Sequence, residues 1–276
     1  MSWPELDWPA LERLRARFLD GAPSHGPYWA SESELASYDR TYGERIGWKW
    51  DQVLRELELR RWRPSARAVF DFGCGSGVAG RRVLARFGAA FESLVVWDHS
   101  PLAAEFAAAR ARGEFPSLRV ERATPALLAA DSPLGLLVVS HVLNELDARG
   151  LALVRRLAGR ADALVWVEPG TRADSRRLGG LRDELLGAFR VVAPCTHTLA
   201  CPMLAPGSER HWCHFFAPAP PGTLADSDWV RFGQRAGIDL RSAPYAFVAL
   251  ERARRDRKST RLNSSHRRTS RMPSSA

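Results

Sequence analysis

The stretch Ala66-Arg67-Ala68-Val69-Phe70-Asp71-Phe72-Gly73-Cys74-Gly75-Ser76-Gly77 decides the fold. A short apolar run reads as a buried strand and ends on an acid. Glycines then recur at every second position. Such a run permits the backbone angles of a tight turn and lets N–H groups approach a ligand without Cβ atoms in the way. Residues 78–88 read as the helix that follows, stopped by Gly88. Downstream the pattern repeats. Strands are predicted over 93–100, 117–123, 134–140 and 162–170, with helices over 101–113, opened by Pro101, and over 151–160. Strands alternating with helices of this length imply an α/β chain with a mainly parallel sheet covered on both faces. Ligands in such sheets bind at the carboxyl ends of the strands.

The strand ends therefore carry the candidate site. Asp71 can hold the ammonium group of a methionine moiety, and Gly73, Gly75 and Gly77 can cradle the rest of a nucleoside cofactor. The next strand ends in Asp98, 27 residues after Asp71, where a carboxylate can accept from both ribose hydroxyls. A dinucleotide fingerprint is the rival, since residues 75–80 match G-x-G-x-x-G. Two features favour S-adenosylmethionine. An acid ahead of the glycines suits a cationic amino acid and faces a pyrophosphate poorly. The run is also displaced to D-x-G-x-G-x-G, which resembles the first motif of class I S-adenosylmethionine-dependent methyltransferases. Glu121 and Arg122 are expected near the adenine. Ser140 and His141 are expected near the transferred methyl group, and Glu168 closes the fifth strand. His141 is either a base or a hydrogen-bonded pocket wall. No Asn-Pro-Pro-aromatic segment of amino-methylating enzymes is present.

Residues 1–64 read as helical, with amphipathic candidates over 9–19 and 50–62. Between them, residues 37–50 interleave aromatic and basic side chains. Such a stretch can stack on nucleic-acid bases, or the helices can simply cover the edge of the next domain. After Arg190 the texture becomes loop-like, and residues 227–252 return to helix, turn and strand. The loop holds Cys195, Cys201 and Cys213, three of the four cysteines in the chain. No secretory signal or spanning segment is evident, so the compartment is expected to be the reducing bacterial cytoplasm and a disulfide is not expected. Clustered thiols there suggest a metal or an iron–sulfur cluster, against loop cysteines with no ligand. A fourth ligand is needed. His197, His211 and His214 would suit zinc, or the ligand lies beyond Arg255.

From Asp256 the chain has no hydrophobic periodicity and resembles the translation of a short-read sequencing adapter. Residues 256–276 are therefore expected to be a non-native tail. Without its six basic residues and one acid, 34 basic face 30 acidic residues, a net charge of +4 in place of +9. That balance permits RNA as a partner without demanding it. Lys49 and Lys258 are the only lysines, so positive charge is almost entirely arginine.

Several segments resemble one family in order and context. They are residues 71–77 (DFGCGSG), 140–146 (SHVLNEL), 166–171 (WVEPGT), 193–197 (APCTH), 200–203 (ACPM), 212–216 (WCHFF) and 244–250 (PYAFVAL). It is the ribosomal small-subunit methyltransferase-like family, known in mitochondria as an assembly factor and with many bacterial members. The resemblance implies a Rossmann-like class I methyltransferase fold with an N-terminal helical region (1–64). The S-adenosylmethionine-binding domain would span 65–255, with a cysteine-rich insertion at 193–216. It implies association with the small ribosomal subunit and its RNA; the chain is separately expected to be a monomer, and the lack of a long apolar run to leave it without a membrane. The resemblance also implies a 4Fe–4S type cluster, for which Cys195, Cys201 and Cys213 match three ligands. The family's fourth cysteine lies downstream, in a region this sequence lacks.

Overall fold

The computed structural model of the chain describes residues 3, 5–20 and 28–253, so the adapter-like segment lies outside the described residues. Five parallel strands form its centre: β1 (Ala68–Phe72), β2 (Ser93–Trp97), β3 (Arg119–Arg122), β4 (Gly135–Ser140) and β5 (Ala161–Pro169). Three further strands follow, β6 (Phe189–Ala193), β7 (Phe215–Pro218) and β8 (Ser242–Arg252). The order is β3-β2-β1-β4-β5-β8-β6, with β7 also paired to β8. β8 runs antiparallel to β5, β6 and β7 and is the one reversed strand among the described residues. This is the Rossmann-like arrangement of class I methyltransferases.

Strand β4 is buried at five consecutive positions, and β1 at its last four. That continuity reflects cover on both faces. Alternate residues serve the two faces. Val69, Leu94, Leu136, Val138, Val165 and Phe247 join one core cluster, and Phe70, Leu137, Val139, Leu164, Trp166 and Val248 join the other. Helices α4 (Val78–Phe87) and α5 (Pro101–Glu114) cover the first face, while α7 (Ala148–Ala158) and α8 (Arg172–Leu185) cover the second. A short helix, α6 (Pro125–Ala129), precedes β4, and α9 (Ser227–Ala236) precedes β8. Starts follow local chemistry. Asp147 accepts from the Gly150 amide at 2.7 Å and Thr171 from the Asp174 amide at 3.1 Å.

The N-terminal region folds as α1 (Trp8–Asp20), α2 (Glu32–Tyr38), one π-helical turn (Asp39–Gly43) and α3 (Glu44–Leu59). Residues 37–50 are thus helix. Trp48, Lys49 and Trp50 turn inward, away from any surface on which bases could stack. Trp50, Val53, Leu54 and Leu57 of α3 share the first core cluster with α4 and the sheet, so the hydrophobic core runs across residue 64. A smaller cluster of Leu14, Trp29, Leu35 and Ala103 carries Tyr28 and Tyr38 over the carboxyl ends of the strands.

The texture change after Arg190 hides two strands. β6 and β7 pair with β8, which lies far downstream, and non-local pairing leaves no periodicity in runs of four or five residues. Among the described residues no helix is long and apolar enough to cross a membrane.

Candidate functional site

From β1 the chain moves to one side of the sheet, and from β4 to the other. A crevice opens at their carboxyl ends. The cavity there measures about 470 Å³, of a size for one small-molecule ligand. Its floor is the glycine loop, where Gly73 (φ +65°), Gly75 (φ +51°) and Gly77 (φ +79°) all adopt left-handed backbone. Their surroundings differ. A Cβ on Gly73 would lie 2.4 Å from Val142 Cγ1, and one on Gly77 would lie 2.8 Å from Ala107 Cβ. A Cβ on Gly75 would meet nothing within 4 Å. Gly73 and Gly77 are therefore glycine for packing, while Gly75 leaves an open approach to its backbone.

The two acids of the strand ends part company. Asp98 lines the cavity, and its carboxylate accepts from the amides of Gly75 (2.9 Å) and Ser100 (2.8 Å). Oδ2 keeps a lone pair for a ligand hydroxyl, while Oδ1 also faces His99 Nδ1 at 3.3 Å. Asp71 is fully buried and does not line the cavity. Its Oδ2 accepts from the Gly80 amide at 3.0 Å, an approach open because a Cβ on Gly80 would lie 2.6 Å away. The carboxylate expected at a methionine ammonium is thus directed at α4. Glu121 and Arg122 are exposed and ion-pair with Arg119 and Glu105, outside the cavity lining.

At the end of β4, Ser140 Oγ accepts from Trp50 Nε1 at 2.9 Å. His141 has φ +55°, strained for a residue with a Cβ, and its Nε2 lies 3.2 Å from Lys49 Nζ. Glu168 explains how that backbone is held. Its Oε1 accepts from the amides of Val142 (3.2 Å) and Leu143 (3.1 Å) and from Trp166 Nε1 (2.5 Å). Tyr28 donates to Glu145 at 3.4 Å across the cavity mouth. Lys49, Trp50, Tyr28 and Arg45 were not legible as site residues. For Arg45, Lys49 and Trp50 the only signal is the aromatic and basic interleaving of residues 37–50 and the four-residue spacing of Arg45 and Lys49, and Tyr28, outside that stretch, carries none.

Burial dominates the electrostatics. It pushes the Asp71 carboxyl up to about 7 and that of Glu168 up to about 8, against the hydrogen bonds that favour their charged forms. It also pushes Glu145 up to about 7, helped by the charge of Asp98, and raises the Cys74 thiol well above its usual range. Cys74 is buried and packs in the first core cluster. An acid raised in the folded state holds a proton that the unfolded chain has released. Its stabilising effect is complete below the unfolded value and is lost as pH rises through the folded one. Thermal unfolding from about pH 5 to about pH 8 is expected to show Tm falling by roughly 5 °C. Glu168→Gln keeps an acceptor for its donors and cannot titrate, so it should flatten that slope. An unchanged slope would show that Glu168 does not release its proton in this range.

Residues 194–214 form the cysteine segment. It is anchored on α8. Buried Arg182 donates to the carbonyls of Leu199 (2.6 Å) and His197 (2.8 Å), Arg176 to that of His211 (3.1 Å), and Asp183 accepts from the Cys201 amide (2.8 Å). Cys195, Cys201 and Cys213 are free and half-buried. Partial burial raises the Cys213 thiol, and the charges of Cys195 and Cys201 raise it further. The thiols share a neighbourhood without forming a ligand set. Among the described residues, no group of three or more His, Cys, Asp or Glu side chains could hold a metal ion.

The family described as Mitochondrial small ribosomal subunit Rsm22 matches residues 51–268 of the chain. No curated protein matches it at a significant level. Among solved structures, the magnesium protoporphyrin IX methyltransferase ChlM from Synechocystis PCC 6803 with bound SAM is similar over 92% of this chain and 100% of that one, at 14% identity and a TM-score of 0.45. An rRNA methylase from Escherichia coli is similar over 89% of this chain and 76% of that one, at 10% identity and a TM-score of 0.44.

Proposed function

This chain belongs to the family of the mitochondrial small ribosomal subunit protein Rsm22, and from that premise we propose that it binds S-adenosylmethionine in the β1/β4 cavity and acts on the small ribosomal subunit or its RNA. The observation that carries the cofactor half is the pairing of Asp98 with the open Gly75 backbone. One carboxylate fixes the turn and still offers acceptor capacity beside it. The residues fit a nucleoside carrying an amino-acid arm: left-handed glycines for close backbone approach, an acid at the second strand end, and aromatic walls at Tyr28, Trp29 and Trp97.

Bound S-adenosylmethionine supplies an electrophilic methyl group on sulfur. The chain would orient that arm along the glycine loop and exclude water with the aromatic roof. It would also hold the acceptor in line at the His141 turn, whose backbone Glu168 pins. Incubation with methyl-labelled cofactor and small-subunit RNA should label the RNA, and Gly75→Val, which fills the open approach, should abolish labelling. No label with naked RNA or with assembling subunits would end the enzymatic half of the reading.

A second reading is a non-catalytic assembly factor that uses the fold as a platform. It is favoured by the cavity's candidate bases, since His141 is engaged by Lys49 and Glu145 by Tyr28. Complementation of an assembly defect by Gly75→Val would support it. The shared neighbourhood of the three thiols keeps a metal centre in residues 194–214 open to one test. Iron, sulfide and zinc would be determined after anaerobic purification, and substoichiometric values of all three would end it. The reading takes the chain as a monomer, which light scattering on the purified protein checks, and as cytoplasmic, which cell fractionation checks.

A further inference from the structure

The cavity is electrically two-ended. Asp98 stands at one end, on β2. At the other end α3 presents Arg45 and Lys49, one turn apart on the same helix face. Both line the cavity, yet neither forms an ion pair with a carboxylate among the described residues. Arg45 donates to the carbonyls of Asp239 (3.1 Å) and Ser242 (3.4 Å), and its Nε is buried without a partner. Lys49 is buried, and among the described residues its ammonium has one hydrogen-bond partner, His141 Nε2 at 3.2 Å. The carboxyl group whose charge acts most on it, Glu168, makes no hydrogen bond to it: Oε1 accepts from Trp166, Val142 and Leu143, and Oε2 is buried without a partner among the described residues. An enclosed ammonium with one neutral partner is costly, and a side chain so placed is stabilised by an anion that enters from the cavity.

The geometry limits which anion that is. Lys49 is only 9% exposed, at its end of a cavity of about 470 Å³. A phosphodiester continues as chain on both sides and cannot enter such an end. A terminal carboxylate can. Lys49 also reaches the end of β4 beside the glycine loop, because its partner His141 precedes Val142, the residue packed on Gly73. The far end from Asp98 is therefore where the amino-acid arm of a nucleoside ligand would finish.

We infer that Lys49, backed by Arg45, is the counter-ion for the terminal carboxylate of the cofactor's amino-acid arm. This rests on the cofactor reading above and names the residues that would select for the carboxylate. The titration of Lys49 supplies an independent readout. Burial first, and then the charge of Arg45, lower its ammonium to about 7, while Glu168 and Asp174 pull it upward and His141 is its hydrogen-bond partner. At about pH 8 the free protein holds Lys49 mostly neutral, and a bound carboxylate favours the charged form, so binding takes up a proton.

The test is calorimetric titration of the full chain with S-adenosylhomocysteine and with its decarboxylated analogue, in two buffers of different ionisation heat. The wild-type chain should bind the carboxylated ligand about 10- to 100-fold more tightly and take up a proton only with it. Lys49→Met should lose the preference and the uptake while binding the decarboxylated ligand as before. Lys49→Arg should keep part of the preference, and Arg45→Met should reduce it. Equal wild-type affinity for the two ligands overturns the inference and leaves the cofactor reading standing. So does an equal weakening of both ligands by Lys49→Met. Binding of neither ligand by the wild-type chain overturns the cofactor reading and this inference with it. Should Lys49→Met fail to fold, the wild-type comparison of proton uptake decides alone, and equal uptake with the two ligands counts against the role.

Discussion

Asp98→Ala is expected to weaken S-adenosylhomocysteine binding by at least about 100-fold and to lower Tm by roughly 5–10 °C. The carboxylate does two jobs with one pair of oxygens. It accepts from the Gly75 amide at 2.9 Å and the Ser100 amide at 2.8 Å, so it ties the glycine loop to the start of α5. Alanine leaves both amides without their charged acceptor, at about 1.5–3 kcal/mol each. The left-handed Gly75 backbone is then free to relax out of the cavity floor. The ligand loses a preformed turn and a hydroxyl acceptor together. Asp98→Asn separates the two jobs, because the amide can still accept one backbone N–H but carries no charge. Its Tm should fall less than that of alanine while its affinity stays low. Wild-type affinity in Asp98→Asn would show that the charge contributes nothing to the ligand, and the carboxylate would then be a loop fastener only. Calorimetry and thermal unfolding on the three proteins give both readouts.

Gly73→Val and Gly75→Ala should fail in opposite ways, although the residues are two apart and both left-handed. At Gly73 any Cβ meets Val142 Cγ1 at 2.4 Å, and a branched side chain at φ +65° adds strain. Overpacking and backbone strain together are expected to cost about 2–5 kcal/mol, or roughly 10 °C in Tm. The turn after β4 would be displaced as well, because Val142 belongs to the backbone that Glu168 pins. At Gly75 the Cβ enters open space, so Gly75→Ala should lose only about 1–2 kcal/mol for its φ of +51°. The methyl group would, however, stand where a ligand must approach the backbone, and affinity should fall by about 10-fold or more. Thermal unfolding ranks the first effect and ligand titration the second. A Gly75→Ala chain that binds as tightly as wild type would place the ligand elsewhere in the cavity.

Much of this architecture is legible because its signals are local. Continuous apolar runs at β1, β4 and β5 announce strands covered on both faces. Pro101 and Gly88 mark a helix start and stop within a residue or two of where they occur. The acid-glycine spacing of residues 71–77 specifies a left-handed turn, and all three glycines take it up. Helix α8 is less legible. Residues 172–185 alternate basic, acidic and small side chains without a strong apolar stripe, and the helix proves to hold the cysteine segment through Arg176, Arg182 and Asp183.

The sequence by itself determined the alternation of strands and helices from β1 to β5, the glycine turn and the two acids beside it, because each depends on neighbours within a few positions. Tertiary structure alone decided which way those acids face. Asp71 turns to α4 because the missing Cβ of Gly80 admits it, and Asp98 turns to the cavity because Gly75 and Ser100 offer it amides. It also decided that residues from α3 complete the site. Trp50 reaches Ser140 and Lys49 reaches His141 across some 90 residues of chain. Those meetings exist only because α3 buries its apolar face against the sheet beside α4, and no local pattern encodes where a packed helix will deliver the polar residues on its flank.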